Sequence, residues 1–243
     1  MTATRLDQAL VERGLVASRQ KAQALIRAGM VRLDSRPADR VDQKVADVAR
    51  LEVLSRPRFV SRGGDKLRGA LDVFGVSARG RVCLDAGAST GGFTDVLLQD
   101  GARRVYAVDV GYGQLDWRLR QDERVVVMER TNIRDVHELP ERPDLVVGDL
   151  SFTALHHVVP AIRALLGSGA ELVLLLKPQF EVGRDRVGKG GIVRDPHARQ
   201  AALDDFVAWA SGEGLDVVAS ADSSLPGARG NREIFVHLRE PSG

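Results

Sequence analysis

The chain has 243 residues, 44% hydrophobic and 28% charged, which suits one α/β domain plus a smaller one and excludes a disordered protein. Its net charge of +2 hides a division, since residues 1–62 hold 13 Lys and Arg against 7 Asp and Glu while the remainder holds 22 against 26, so a basic polyanion-binding module is expected ahead of an acidic one with other work. A lone cysteine, Cys83, excludes an internal disulfide, and the longest run of large apolar residues, 172–176, is too short to span a bilayer, so a cytoplasmic protein is expected.

Leu6, Ala9 and Leu10 fall at helical spacing, and Ala22, Leu25 and Ile26 repeat it between a capping Ser18 and a terminating Gly29. Val31 and Leu33 then alternate with Arg32 and Asp34, and 51–54 is another short β-like run, so residues 1–60 read as two helices followed by strands. Breakers and charges fill 55–64, the expected linker to a second domain over 61–243. There Asp65 is suited to cap a helix bearing Leu67, Ala70, Leu71 and Phe74, which puts Lys66 in its first turn. Apolar runs at 81–86, 104–110, 125–129, 144–148, 171–176, 215–220 and 233–238 alternate with helical patterns at 92–99, 153–166 and 197–211, the last opened by Asp195 and Pro196. Such alternation predicts an α/β fold with a doubly wound, mainly parallel sheet.

Val82-Cys-Leu84 runs into Asp85-Ala-Gly-Ala-Ser-Thr-Gly-Gly-Phe93, a buried strand ending in a loop of small residues that opens a helix. Such a loop lets backbone approach a ligand closely. Asp109 closes the next strand, 24 residues after Asp85, where a carboxylate can accept from both hydroxyls of an adenosyl ribose. The glycines Gly87, Gly91 and Gly92 do not follow the dinucleotide spacing, and Asp85 would repel a pyrophosphate but suits the cationic methionine end of S-adenosylmethionine.

Only five of the 35 basic residues are lysines. Lys177 ends the run Leu172–Leu176 at the carboxyl edge, where doubly wound sheets bind ligands; burial there would let a lysine, unlike an arginine, lose its proton and serve as a base, although a snorkelling strand-end lysine reads equally well. Asp149 ends its own strand in the same way. Lys66 opposes the helix macrodipole, a small effect taken alone, and Glu233 on the last strand is open to a second reading as an edge charge.

Ser61-Arg-Gly-Gly-Asp-Lys-Leu67, Asp85-Ala-Gly-Ala-Ser-Thr-Gly-Gly-Phe-Thr94, Gly148-Asp-Leu-Ser-Phe152 and Lys177-Pro-Gln-Phe-Glu-Val-Gly183 resemble the TlyA (hemolysin A) rRNA methyltransferases over nearly the whole chain. Arg5-Leu-Asp-Gln-Ala-Leu10, Ser18-Arg-Gln-Lys21 and Ala28-Gly-Met-Val31 are similar to S4 RNA-binding domains, and the remainder resembles FtsJ-like ribose methyltransferases, which implies a seven-stranded sheet with its last strand antiparallel. The linker carries Phe59 where some relatives have Trp. The resemblance implies a tetrad at Lys66, Asp149, Lys177 and Glu233, S-adenosylmethionine as cofactor, and cytidine 2′-hydroxyls of ribosomal RNA, free or in subunits, as substrate; a monomer without metal is the separate expectation. Expected cofactor contacts are Asp85, Gly87, Ala88, Ser89, Gly91, Gly92, Phe93, Asp109, Val110, Asn132, Ile133 and Asp149. Expected RNA contacts are Arg5, Arg19, Lys21, Arg27, Arg36, Arg62 and Lys189, each of which taken singly could be a merely solvated charge. A membrane-active hemolysin is the rival suggested by the family's other name, but no span or strongly amphipathic basic helix is visible. An NAD-dependent oxidoreductase with an RNA module is the second rival; a non-enzymatic RNA binder would leave the four tetrad positions to coincidence.

Overall fold

A computed structural model describes residues 3–54, 58–183, 186–227 and 229–242; positions 55–57 of the expected linker lie outside them. The amino-terminal part contains β1 (Ala3–Arg5), α1 (Leu6–Glu12), α2 (Arg19–Arg27), β2 (Val31–Leu33), β3 (Arg36–Pro37), β4 (Lys44–Ala46) and β5 (Leu51–Val53). Leu6, Leu10, Ala22, Ile26, Val31 and Val45 close a core of their own. Ser18 caps α2, its Oγ accepting from the Lys21 N–H at 3.3 Å. Strand β1, which pairs with β4 ahead of both helices, had no signal because three residues are too few to show alternation. The alternation also set Arg32 apart from Val31 and Leu33, yet Arg32 is only 8% exposed, because its guanidinium crosses to Asp65 of the following helix at 2.9 Å.

That helix, α3 (Arg62–Phe74), precedes β6 (Val82–Ala86), α4 (Gly92–Gln99), β7 (Arg104–Val108), α5 (Trp117–Arg120), β8 (Val125–Met128), β9 (Leu145–Gly148), α6 (Val159–Ala164), β10 (Glu171–Leu176), α7 (Pro178–Glu181), α8 (Pro196–Gly212), β11 (Asp216–Asp222) and β12 (Ile234–Arg239). Seven strands make one sheet in the order β11-β12-β10-β9-β6-β7-β8. Strand β12 runs antiparallel between β10 and β11, while the pairings from β10 through β8 are parallel. β9 and β10 are buried along their whole length, as strands covered on both faces must be, by one apolar cluster centred on Leu84, Val146 and Leu174 and another on Cys83, Val147 and Val173. Cys83 is sealed inside, and burial pushes its thiol up to about 12.

Two helix boundaries differ from expectation. α3 starts at Arg62 with Ser61 as its cap, not at Asp65, so Lys66 lies beyond the first turn and does not face the amino-terminal dipole. The glycines that read as breakers are inside the helix because its start is wedged between neighbours: a Cβ on Gly64 would overlap the Phe59 ring, and one on Gly92, where α4 begins, would come within 2.9 Å of the Gly64 nitrogen. The 153–166 pattern is two pieces, a 3₁₀ turn at Leu155–His157 and then α6, since Pro160 has no N–H to continue a helix and instead sits in the first turn of the second piece. Asp195 caps α8 as expected, its carboxylate accepting from the His197 N–H at 2.9 Å.

Candidate active site

The carboxyl ends of β6, β9 and β10 face one cleft. Lys177 follows β10 and Asp149 follows β9, so the parallel pairing of these strands brings them side by side: Lys177 Nζ lies 2.6 Å from Asp149 Oδ1 and donates to Ser151 Oγ at 2.8 Å. The Asp149 contact is one of charge, at an angle outside hydrogen-bond geometry. Lys66 Nζ donates to Glu233 Oε2 at 2.6 Å. Glu233 is 4% exposed and leads into an interior strand of the sheet, which removes its reading as an edge charge. All four residues of the implied tetrad line a cavity of about 360 Å³, with the two lysines each 8% exposed. Two ammonium groups so far from bulk water need their carboxylates, and the arrangement supplies one to each.

A second cavity, of about 430 Å³, lies across Asp149 and is lined by Gly87, Ser89, Asp109, Val110, Asn132, Ile133 and Leu150. Gly87 holds φ of +87°, and a Cβ there would meet the Asp149 carbonyl oxygen at 2.8 Å, so the floor of this space exists only with glycine. Asp109 accepts from the backbone N–H groups of Ser89 at 2.8 Å and Gly111 at 2.6 Å, which fixes its carboxylate on the cavity wall. A carboxylate for ribose hydroxyls beside an apolar Val110–Ile133 wall for a purine fits an adenosyl group. Ala88, Gly92 and Phe93 line a third space, of about 440 Å³, shared with Ser61, Lys66, Gly87 and Asp149.

Two expected cofactor residues are not on these walls. Gly91 is the left-handed cap that starts α4. Asp85 is fully buried beneath the loop, where Thr94 Oγ1 donates to its Oδ2 at 2.7 Å and Oδ1 has no partner. Burial pushes that carboxyl up to about 7. The structure places it beneath the loop and off the cavity walls.

The RNA candidates divide likewise. Arg5 and Arg19 both donate to the wholly buried Asp7, at 3.0 Å each, joined by Gln23 at 2.9 Å. Asp7 is held well below the usual carboxylate range, first by the Arg5 guanidinium, while the Arg5 and Arg19 side chains stay 36% and 52% exposed. Arg62 pairs with Asp39 at 2.8 Å and lines the third space. Lys21, Arg27 and Arg36 are exposed, as is Lys189, at the tip of the turn closed by the Gly188–Ile192 bridge.

Five residues escaped sequence reasoning, Ser151 beside Lys177 among them. Phe152 is 90% exposed at φ of +65°, its ring 5.5 Å from that of Phe180, and both line the lysine cavity. Asn231, 3% exposed, accepts from the Val193 N–H at 2.9 Å and donates to the Gly191 carbonyl at 2.8 Å, pinning the 188–192 turn over the same cavity. Glu181 accepts from the Leu155 N–H at 2.8 Å, tying the helix after Lys177 to the loop after Asp149, and burial pushes its carboxyl up to about 7. Asn231 and Glu181 carry no sequence signal beyond a polar residue beside a Gly-rich or Pro-flanked string, and Phe152 and Phe180 none beyond an aromatic beside Asp149 and Lys177. Among the described residues, no group of three or more His, Cys, Asp or Glu is placed to hold a metal ion, and no helix is long and apolar enough to cross a membrane.

Comparison with known proteins agrees with this layout. The FtsJ-like methyltransferase family model matches residues 59–240 and the S4 domain model matches residues 4–47. The 16S/23S rRNA (cytidine-2′-O)-methyltransferase TlyA of Mycobacterium tuberculosis is 50% identical over 97% of this chain and 89% of its own. Hemolysin A of Brachyspira hyodysenteriae is 40% identical over 96% of this chain and 99% of its own. A solved structure described as a hemolysin, from Streptococcus thermophilus, superposes with a TM-score of 0.75 at 39% identity, covering 99% of this chain and 90% of that one. The chain belongs to the FtsJ-like methyltransferases, and within them to the TlyA/hemolysin A family that carries an S4 domain.

Proposed function

We propose that this protein transfers a methyl group from S-adenosylmethionine to the ribose 2′-hydroxyl of a cytidine in ribosomal RNA, acting in the cytoplasm through an S4 domain at 1–60 and a catalytic domain at 61–243. The observation that carries the reading is the Lys177–Asp149 pair, 2.6 Å apart at adjacent strand ends, between a cavity suited to an adenosyl group and a cavity walled by a second lysine–carboxylate pair. When bound, S-adenosylmethionine supplies an electrophilic methyl group; Gly87, Ser89, Asp109, Val110, Asn132 and Ile133 are the residues that would hold it.

The work of the chain is positioning and proton transfer. Asp149 and Ser151 fix Lys177 Nζ, the nitrogen that takes the 2′-hydroxyl proton once it has released its own. Lys66, anchored by Glu233, holds the ribose from the other wall. Fixing the attacking oxygen in line is worth up to ~7–11 kcal/mol in favourable cases. The exposed Phe152 and its neighbour Phe180 offer faces on which a splayed base can stack, the usual means of reading an unpaired RNA nucleotide. The held backbone strain at Phe152 is consistent with an aromatic kept outward for a ligand.

The test is methyl transfer to purified ribosomal RNA and subunits, with mapping of 2′-O-methylated positions. Lys177→Ala should abolish transfer while isothermal titration shows unchanged cofactor affinity. Binding of NAD in place of S-adenosylmethionine, or full turnover by the variant, would overturn the reading.

A further inference from the structure

We propose that a cleft between the two domains, behind Glu233, is a phosphodiester-binding subsite for the RNA strand next to the reacting ribose. This rests on the RNA-methyltransferase reading and deepens it.

The cleft encloses about 570 Å³ and takes its walls from both parts of the chain: Arg40 from the loop between β3 and β4, Asp222 at the end of β11 with Ser223, Ser224 and Pro226 after it, and Gly230, Arg232 and Glu233 ahead of β12. Its carboxylates are already neutralised. Asp222 receives the Arg199 guanidinium, and Glu233 receives Lys66. Arg232 has no acidic partner among the described residues, and Arg40 touches only Asp42, at 3.4 Å, with both side chains more than half exposed. An ion pair that open to water contributes little and exchanges readily. The cleft therefore keeps the Arg232 guanidinium and that of Arg40, the latter loosely offset by Asp42, beside Ser223 and Ser224, whose hydroxyls donate to the Leu225 and Asp65 carbonyls.

Both guanidiniums grow from fixed backbone. Arg40 follows Asp39, which accepts from Arg62 of α3 at 2.8 Å. Arg232 precedes the buried Glu233, and its carbonyl accepts from Arg199 Nε at 3.3 Å. Two guanidinium forks rooted in this way suit phosphate oxygens, which arginine binds bidentately.

Location decides which phosphate. S-adenosylmethionine contains none, so a phosphate here belongs to the substrate. Glu233 also lines the lysine cavity, and Pro226 also lines the space containing Gly87, so the cleft adjoins the tetrad from behind. A strand crossing from the S4 domain to Lys177 would pass between Arg40 and Arg232, and contact with one guanidinium from each domain would set its register.

The experiment uses the full chain with Arg40→Ala, Arg232→Ala and the double variant. Methylation of ribosomal RNA is measured at several salt concentrations, anisotropy of a labelled rRNA fragment reports binding without turnover, and cofactor titration serves as the control. The expected result is a rise of about fivefold in KM and in fragment Kd for each single change and more than tenfold for the pair, with kcat and cofactor Kd within twofold. The slope of log affinity against log salt should fall by ~0.7 for each phosphate of a single strand that no longer meets a guanidinium. Unchanged fragment Kd and salt slope in the double variant would overturn the subsite. Competition by inorganic phosphate that disappears in the double variant, with KM for RNA unaltered, would overturn it as well by assigning the cleft to a free anion. Failure of the unaltered protein to methylate ribosomal RNA would sink the proposed function instead, and the anisotropy data would still decide the subsite.

Discussion

The Arg32–Asp65 pair offers the sharpest test of how the two domains are joined. Its nitrogen–oxygen distance is 2.9 Å, and the side chains are 10% and 8% exposed. An exposed pair would be worth ~0–1 kcal/mol, but removing one partner of a buried pair costs about 3–5 kcal/mol because the other charge is stranded. Arg32→Ala leaves Asp65 in the first turn of α3, where the macrodipole favours a carboxylate, so about 3 kcal/mol is expected. Asp65→Ala leaves a guanidinium buried on β2 with nothing to receive it, and the upper part of the range applies. The double variant should cost much less than the sum, giving a coupling near the upper end of the ~0.5–3 kcal/mol seen for residues in contact. Urea unfolding followed by Trp117 and Trp209 fluorescence, which report the catalytic domain, and by circular dichroism, which reports both domains, supplies the four corners of the cycle. Losses that add within ~0.5 kcal/mol would refute the argument. Because Lys66 follows Asp65 directly, a several-fold loss of kcat should accompany either single change.

Lys66→Met leaves Glu233 buried without its cation and should lower methyl transfer by about 10²-fold or more, with cofactor affinity within twofold by titration. Asp109→Ala removes the acceptor that organises the Ser89 and Gly111 N–H groups, and cofactor affinity should fall roughly tenfold or more, in line with ~1–3 kcal/mol for groups left unsatisfied. Asp85 has its carboxyl raised to about 7 in the folded protein, against ~4 in an unfolded chain, so the native state retains a proton that the unfolded state releases. Its contribution to stability is therefore present in acid and lost as pH rises through 7. Asp85→Asn should gain on the unaltered protein in thermal melts between pH 5 and 8, and parallel melting curves across that range would clear Asp85 of the effect.

Strand existence was legible because each core run is apolar through its length, and the positions of Lys177 and Asp149 followed from their place at the ends of two such runs. The polar partners were not. Ser151 beside Lys177, Asn231 over the cavity and Glu181 beneath it are set by contacts 26 to 40 residues apart in sequence, and no local periodicity encodes them. Arg32 and Arg5 show the same limit from the other side: nothing local in the sequence reveals that Arg32 reaches Asp65 or that Arg5 reaches the buried Asp7. The start of α3 was misjudged because glycine normally marks a break, and here it records how tightly two helices abut.

The pairing of Lys66 with Glu233 spans 167 residues of chain. β11 and β12 are sequence neighbours that can zip together early, but Glu233 reaches its lysine only after that hairpin has docked on β10. Contacts of such long range form late, because the intervening chain must first surrender its freedom. Catalytic competence should thus be the last property regained on refolding, trailing the return of secondary structure, and a stalled chain could look folded while remaining inert.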